Sequence, residues 1–125
     1  MQLRQWWRLL LGEENMVDIL KGLADETRLR ILSQVMKDEM CVCEIEQCLR
    51  LTQSNASRHL NVLKKAGILD SYKNAQWTYY KISENFINEN KELYDYLKIK
   101  INTLPCYADD CTKYENCKLQ DLCNK

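Results

Sequence analysis

Nowhere does the chain approach the roughly 20 consecutive apolar residues of a membrane span, so no transmembrane helix is expected. Residues 1–15 carry a short apolar run without a cleavage-site pattern, which argues against a secretory leader. No two cysteines are separated by two residues, the gap common to zinc ribbons and dithiol redox motifs. With a single histidine, and no aspartate set to work beside it as a base, a small thiol enzyme is disfavoured. Net charge is also missing: 18 Lys and Arg balance 18 Asp and Glu. Taken alone, that balance argues against nucleic acid as a partner.

The distribution of charge reverses the point. Between Thr52 and Ile82 stand five cations (Arg58, Lys64, Lys65, Lys73, Lys81) and one acid (Asp70), a local charge of +4. Phosphate binding needs local positive charge, not a positive total. The length of 125 residues with 46% hydrophobic side chains suits one domain with one modest core. A chain this short commonly shares its core with a partner, so a homodimer is the default. Seven cysteines in a reducing, cytoplasmic setting point to metal or redox chemistry before structural disulfides.

Three regions follow. Residues 1–15 are expected to be a non-native or disordered extension. Gly12-Glu13-Glu14-Asn15 before Met16 reads as a translated purine-rich ribosome-binding site, which puts the native start at Met16. Residues 16–104 carry the periodic patterns of a fold. Residues 105–125 form a polar, cysteine-bearing tail.

Within 16–104, Val17 to Leu23 is a short helix candidate. Asp25 fits an N-cap, with Glu26 in the first turn. Leu29, Ile31, Leu32, Val35 and Met36 supply the buried face of the helix that follows, which should end near Asp38. Cys41 to Leu49 reads as another short helix, starting just after Cys41. Leu51-Thr52 makes a turn. Gln53 to Ala66 is the next helix, with Thr52 as N-cap and Gly67 as C-terminal stop. Its Ala56, Leu60 and Leu63 face the core at spacings of four and three.

The opposite face of that helix carries Asn55, Arg58, Asn61 and Lys65, with Ser54 and Ser57 beside them. Arginine reads guanine edges and amides read adenine, while Ser and Lys reach phosphates. A hairpin follows: Ile68 to Tyr72, a turn at Lys73-Asn74-Ala75-Gln76, then Trp77 to Ile82, rich in β-formers. Its basic, amide-bearing tip at Lys73 and Gln76 suits a wing on the phosphate backbone. Its aromatics suit packing better than base stacking. Ser83 to Leu104 reads as one long helix with an apolar stripe from Phe86 through Leu93, Leu97 and Ile101 to Leu104, paired with its symmetry mate and ended by Pro105. The fold class is mainly α with a small β-hairpin: a winged helix-turn-helix, dimerised through terminal helices.

Three ordered segments, LKGLADETRLRIL (Leu20–Leu32), TQSNASRHLNVLKKAGIL (Thr52–Leu69) and QWTYYKI (Gln76–Ile82), closely resemble the ArsR/SmtB family of metal-sensing winged-helix repressors. The resemblance spans roughly Val17 to Ile101. It implies a homodimer that sits on its operator without metal and leaves when metal binds. It also implies that Gln53, Ser54, Asn55, Ser57, Arg58 and His59 fall where the family contacts DNA. Two such helices would enter successive major grooves about 34 Å apart, so a palindromic operator is expected. His59, as the lone histidine of the SRHL stretch, has a DNA-facing or structural role rather than a metal-binding one.

MCVCEIEQC (Met40–Cys48) resembles the family's cysteine motif at the start of the helix before the recognition helix. In a regular helix Cys41 and Cys43 point about 200° apart, but at a frayed start both can turn to one ion. A helix N-terminus also lowers thiol pKa and favours thiolates. Soft thiolates select soft ions, and the resemblance points to arsenite or antimonite as inducer, with cadmium or lead as alternatives. In arsenic sensors the third cysteine comes three residues after the second, a position held here by Glu46. Cys48 lies two residues further, about 140° from Cys43 on a regular helix. It serves as third ligand only if the helix start is irregular; otherwise it is a core cysteine. Cys106, Cys111, Cys117 and Cys123, spaced five, six and six apart, could donate a ligand, bind a second thiophilic ion or an iron–sulfur cluster, or stay unstructured. The family's other site, on the terminal helix, needs histidines. Glu92 and Asp95 alone do not make it. Thiol oxidation of the same fold is the nearest rival signal.

Overall fold

The computed structural model describes residues 16–104. The expectations for residues 1–15, for Pro105 and for the four tail cysteines lie outside the described residues. The order of elements is α1 (Met16–Leu23), α2 (Glu26–Val35), β1 (Met40–Cys41), α3 (Val42–Leu49), α4 (Gln53–Lys65), β2 (Leu69–Asn74), β3 (Trp77–Ile82), α5 (Glu84–Glu89), α6 (Lys91–Lys100) and a 3₁₀ turn (Ile101–Thr103). None of these helices is long and apolar enough to cross a membrane.

Local chemistry explains most boundaries. Asp25 caps α2 by accepting from the Arg28 N–H at 3.1 Å. Thr52 caps α4 by accepting from the Asn55 N–H, also at 3.1 Å. Each satisfies an amide that the first helical turn leaves without a partner. Gly67, at φ 82°, lets the chain turn out of α4 into β2. The helix α2 stops at Val35, three residues before the predicted Asp38, in a turn whose Met36 and Lys37 amides reach back to Leu32 and Gln34 carbonyls.

The sheet has three antiparallel strands in the order β1-β3-β2. The hairpin is tighter than the sequence suggested: Asn74 pairs with Trp77, leaving a two-residue turn at Ala75-Gln76. Ala75 takes φ 59° there, a conformation that such turns usually give to glycine or asparagine. Strand β1 was not anticipated. Met40 and Cys41 pair with Tyr80 and Tyr79 of β3, so the segment before α3 is extended and hydrogen-bonded to the hairpin.

The predicted single helix from Ser83 to Leu104 is two helices and a 3₁₀ turn. Asn90, at φ −130° and ψ 48°, ends α5 and opens α6. The apolar stripe runs across the break because Phe86, Leu97 and Ile101 are all buried in the same core, with Leu93 and Leu104 packed against it. That core gathers Ile31 and Leu32 of α2, Ile45 and Leu49 of α3, Leu60 and Leu63 of α4, and Ile68 and Leu69 entering β2.

Candidate nucleic-acid interface and cysteine site

Burying Ala56, Leu60 and Leu63 turns the rest of α4 outward. Gln53, Ser54, Asn55, Ser57, Arg58, Asn61, Lys64 and Lys65 are all exposed, as are Lys73 and Gln76 on the hairpin. The face therefore offers amides, hydroxyls, a guanidinium and lysines with no exposed acid on α4. It matches what groove reading and phosphate contact require. Arg58 Nη2 lies 3.3 Å from Asn55 Oδ1, one turn away on the same face.

His59 does not belong to that face. It is 6% exposed, lying three residues after Ala56 and four before Leu63, on the buried stripe of α4. Its Nδ1 stands 3.1 Å from Arg28 Nη1. Burial lowers its pKa, Asp25 opposes this, and Arg58 and Arg28 add to the lowering. The ring is accordingly neutral at pH 7. Of the residues expected to meet DNA, His59 is thus the one whose side chain is turned inward.

Arg28 is the residue that sequence reading passed over. Its Nε donates to the Gly22 carbonyl at 2.6 Å and its Nη2 to the Lys21 carbonyl at 3.2 Å. Its Nη1 lies 4.0 Å from the Asp25 carboxylate. One guanidinium thus joins the end of α1, the cap of α2 and the inner face of α4. The available signal was the Asp25-x-x-Arg28 spacing, one helical turn from cap to arginine.

At the cysteines, Cys41 is at once the last residue of β1 and the residue before α3. Its amide donates to Glu44 Oε1 at 3.1 Å, and Cys41 Sγ lies 3.1 Å from Cys43 Sγ. Both sulfurs turn toward each other at the helix start. Cys41 carries a free thiol, whereas Cys43 stands in a disulfide. One expectation is corrected and one alternative is decided. Burial pushes the Cys41 thiol pKa up, with the Glu44 charge adding to it and backbone hydrogen bonds opposing. The helix start does not win against that desolvation. Cys48 is fully buried in the apolar core, because α3 is regular from Val42 onward and carries it away from the pair. Among the described residues no group of three or more His, Cys, Asp or Glu could hold a metal ion.

Beside the cysteines, Tyr72 of β2 donates a short hydrogen bond to Glu39 Oε1. That bond pushes the Tyr72 hydroxyl pKa up to about 12. The Tyr72 and Tyr79 rings stack at 5.6 Å. The approach to β1 is thus tied to the hairpin by side chains as well as by strand pairing.

An outward polar helix on a three-helix support, followed by a basic hairpin, defines a winged helix-turn-helix transcriptional regulator. Comparison with known proteins gives the family. The profile described as "Bacterial regulatory protein, arsR family" matches residues 25–71. An uncharacterized HTH-type transcriptional regulator of Methanocaldococcus jannaschii is 40% identical over 85 residues, covering 67% of this chain and 96% of that protein. The arsenic resistance transcriptional regulator ArsR1 of Pseudomonas putida is 43% identical over 65 residues, covering 51% of each chain. Among solved structures, HlyU from Vibrio cholerae superposes with a TM-score of 0.56 at 36% identity, covering 65% of this chain and 88% of that one. The chain belongs to the ArsR/SmtB family of winged-helix regulators. The matched segment spans nearly all of the M. jannaschii protein but about half of the P. putida one.

Proposed function

We infer that the protein is a homodimeric, cytoplasmic repressor that releases a palindromic operator when arsenite or antimonite binds cysteine thiolates. The observation that carries the ligand is the Cys41–Cys43 sulfur separation of 3.1 Å. With metal–thiolate arms of about 2.3 Å, that bite closes at about 85° on the ion, whereas a tetrahedral centre holds its sulfurs about 3.8 Å apart. A trivalent metalloid with a lone pair bonds three thiolates near right angles, and soft thiolates select such ions, which supports arsenite or antimonite with cadmium or lead as the alternatives. Both thiols must be reduced and deprotonated to bind. The third sulfur comes from the tail, from Cys106, Cys111, Cys117 or Cys123, in cis or from the partner. The same tail cysteines are candidates for a second thiophilic ion or an iron–sulfur cluster.

Gln53, Ser54, Asn55, Ser57 and Arg58 read the groove, and Lys73 and Gln76 follow the backbone. Dimer formation is supported by apolar side chains left exposed on the first and last α-helices described. Met16, Val17 and Leu20 stand out on α1, Tyr96 and Ile99 on α6, side chains that a second copy would cover.

A second reading is favoured by the disulfide at Cys43, 3.1 Å from the free Cys41 thiol: oxidation of these cysteines is the signal. The V. cholerae neighbour has also been solved in a form described as reduced. One experiment separates the two. A duplex selected by the reduced protein from a randomised pool is titrated anaerobically with arsenite or with peroxide, using the wild type and Cys41→Ser. The expected result is release by arsenite in the wild type, and unchanged DNA binding without release in the variant. Normal arsenite release from Cys41→Ser overturns the assignment. Release by peroxide alone transfers it to oxidation.

A further inference from the structure

His59 is the only histidine of the chain, and each of its ring nitrogens meets a guanidinium. Nδ1 lies 3.1 Å from Arg28 Nη1, and Nε2 lies 3.5 Å from Arg58 Nη2. A guanidinium donates and never accepts, and a neutral imidazole has one nitrogen with a lone pair and one with a hydrogen. The two contacts cannot both be hydrogen bonds at once. The surroundings decide which one holds. Arg28 is fixed by the Gly22 and Lys21 carbonyls and by Asp25, and it makes the shorter contact. Arg58 is exposed on the DNA-facing side of α4. The immobile guanidinium takes the lone pair. His59 therefore accepts at Nδ1, carries its hydrogen on Nε2, and turns an N–H toward Arg58.

We propose that His59 is a positioning residue for operator binding: held by Arg28 as the Nε2–H tautomer, it denies Arg58 an inward tether on α4 and leaves that guanidinium on the exposed face, beside Asn55, for DNA. The proposal rests on the reading of α4 as the DNA-contacting helix. The charged groups around the ring are Asp25 and Arg28 at the start of α2 and Arg58 on α4 itself. Asp18 and Lys21 of α1 and Lys65 of α4 line the adjoining cleft with Arg28. Protonation puts a hydrogen on both ring nitrogens. Nδ1 then no longer accepts from Arg28, a cation sits between two guanidiniums, and α4 loses its tie to the α1–α2 corner. Operator affinity falls on acidification. The general effect of acid is opposite, since protonating carboxylates makes a protein more positive and strengthens phosphate binding. The sign of the pH dependence is therefore diagnostic.

A single histidine makes the test direct. The untagged full-length chain, reduced and labelled with ¹⁵N in the imidazole, reports the tautomer through its ring nitrogen shifts at pH 7.5. Affinity for the pool-selected duplex is measured at fixed salt from pH 7.5 to 5.5, for the wild type and for His59→Asn, whose amide oxygen reaches the Nδ1 position and no further. The expected results are the Nε2–H tautomer and a wild-type affinity that falls about fivefold or more on acidification. His59→Asn should bind within about twofold of wild type at pH 7.5, as its one remaining acceptor keeps the Arg28 bond, and lose the acid dependence. An Nδ1–H tautomer overturns the proposal, as does an affinity that rises in acid or an Asn variant with the wild-type pH profile. The tautomer is read on the wild type, so it decides even if the variant does not fold. A wild type that selects no duplex at pH 7.5 overturns the reading of α4 itself, and the two failures are distinct.

Discussion

Replacing Arg28 with lysine keeps the charge and should still cost much of what the arginine contributes. Arg28 donates to two backbone carbonyls at 2.6 and 3.2 Å and meets His59 at 3.1 Å, in three directions from one planar group. A lysine ammonium is a point donor on a flexible stem and can hold one of these sites well. Two charge-assisted hydrogen bonds are then lost, each about 1.5–3 kcal/mol when buried. The side chain is 14% exposed and its ion pair with Asp25, itself 34% exposed, is long at 4.0 Å, so water recovers part of the loss. The net destabilisation is about 2 kcal/mol. At a urea slope of about 2 kcal/mol per molar, the midpoint should drop by about 1 M. The assay is urea unfolding of reduced protein at one fixed protomer concentration, since dimerisation makes apparent stability depend on concentration. Arg28→Leu, which keeps an apolar stem without a donor, sets the scale. Should Arg28→Lys unfold at the wild-type midpoint while Arg28→Leu does not, charge rather than fork geometry would be what matters, and the account of the α1–α2–α4 corner would be wrong.

Three further outcomes follow from the same geometry. Thr52→Ala removes the oxygen that accepts from the Asn55 amide at 3.1 Å; it should cost about 1 kcal/mol in urea unfolding and fray the end of α4 that carries Ser54 and Asn55. Ala75→Gly relieves the positive φ of 59° at the hairpin tip and should stabilise by about 0.5 kcal/mol, the left-handed penalty less the glycine entropy cost. The His59 pKa is lowered from 6.5 on folding, so the unfolded chain binds the extra proton. The associated stability is full above pH 6.5 and is lost as pH falls toward the folded value. Comparing the unfolding midpoints of wild type and His59→Asn at pH 7.5 and 5 should show a smaller acid loss in the variant.

What the sequence made legible was whatever is decided locally. Thr52, Ala56, Leu60, Leu63 and Gly67 define one helix by cap, stripe and stop, and α4 formed within one residue of its predicted end. The hairpin was legible from its β-formers. Strand β1 was not, because two residues have no periodicity and Met40-Cys41 becomes a strand only through Tyr79 and Tyr80, nearly forty residues away. The break at Asn90 was hidden by an apolar stripe that serves two helices as well as one. For His59 the motif left a DNA-facing or a structural role open. Its spacing from Ala56 and Leu63 already put it on the buried stripe, and that geometry outweighed its neighbourhood of polar residues. At Cys41, tertiary burial raised a thiol pKa that helix position alone would lower.

The unexpected strand changes how the cysteine pair can be coupled to the surface proposed to read DNA. Through its backbone Cys41 pairs with β3, and hence with the wing; it also caps the start of α3, which packs against α4. One residue therefore sits at the root of both elements proposed to face DNA. The strength of the two connections differs. β2 and β3 pair over six residue positions, β1 and β3 over two. In the proposed complex, an ion on Cys41 and Cys43 that takes its third sulfur from elsewhere pulls the pair as a unit against the shorter ladder, whose one or two backbone bonds contribute about 0.5–1.5 kcal/mol each. That is the same order as a typical allosteric coupling energy of about 1–3 kcal/mol. The hairpin itself survives such a pull while its attachment to α3 yields. A switch built this way shifts the wing and α4 relative to each other without unfolding either. It needs no more free energy than one ion on two or three thiolates supplies.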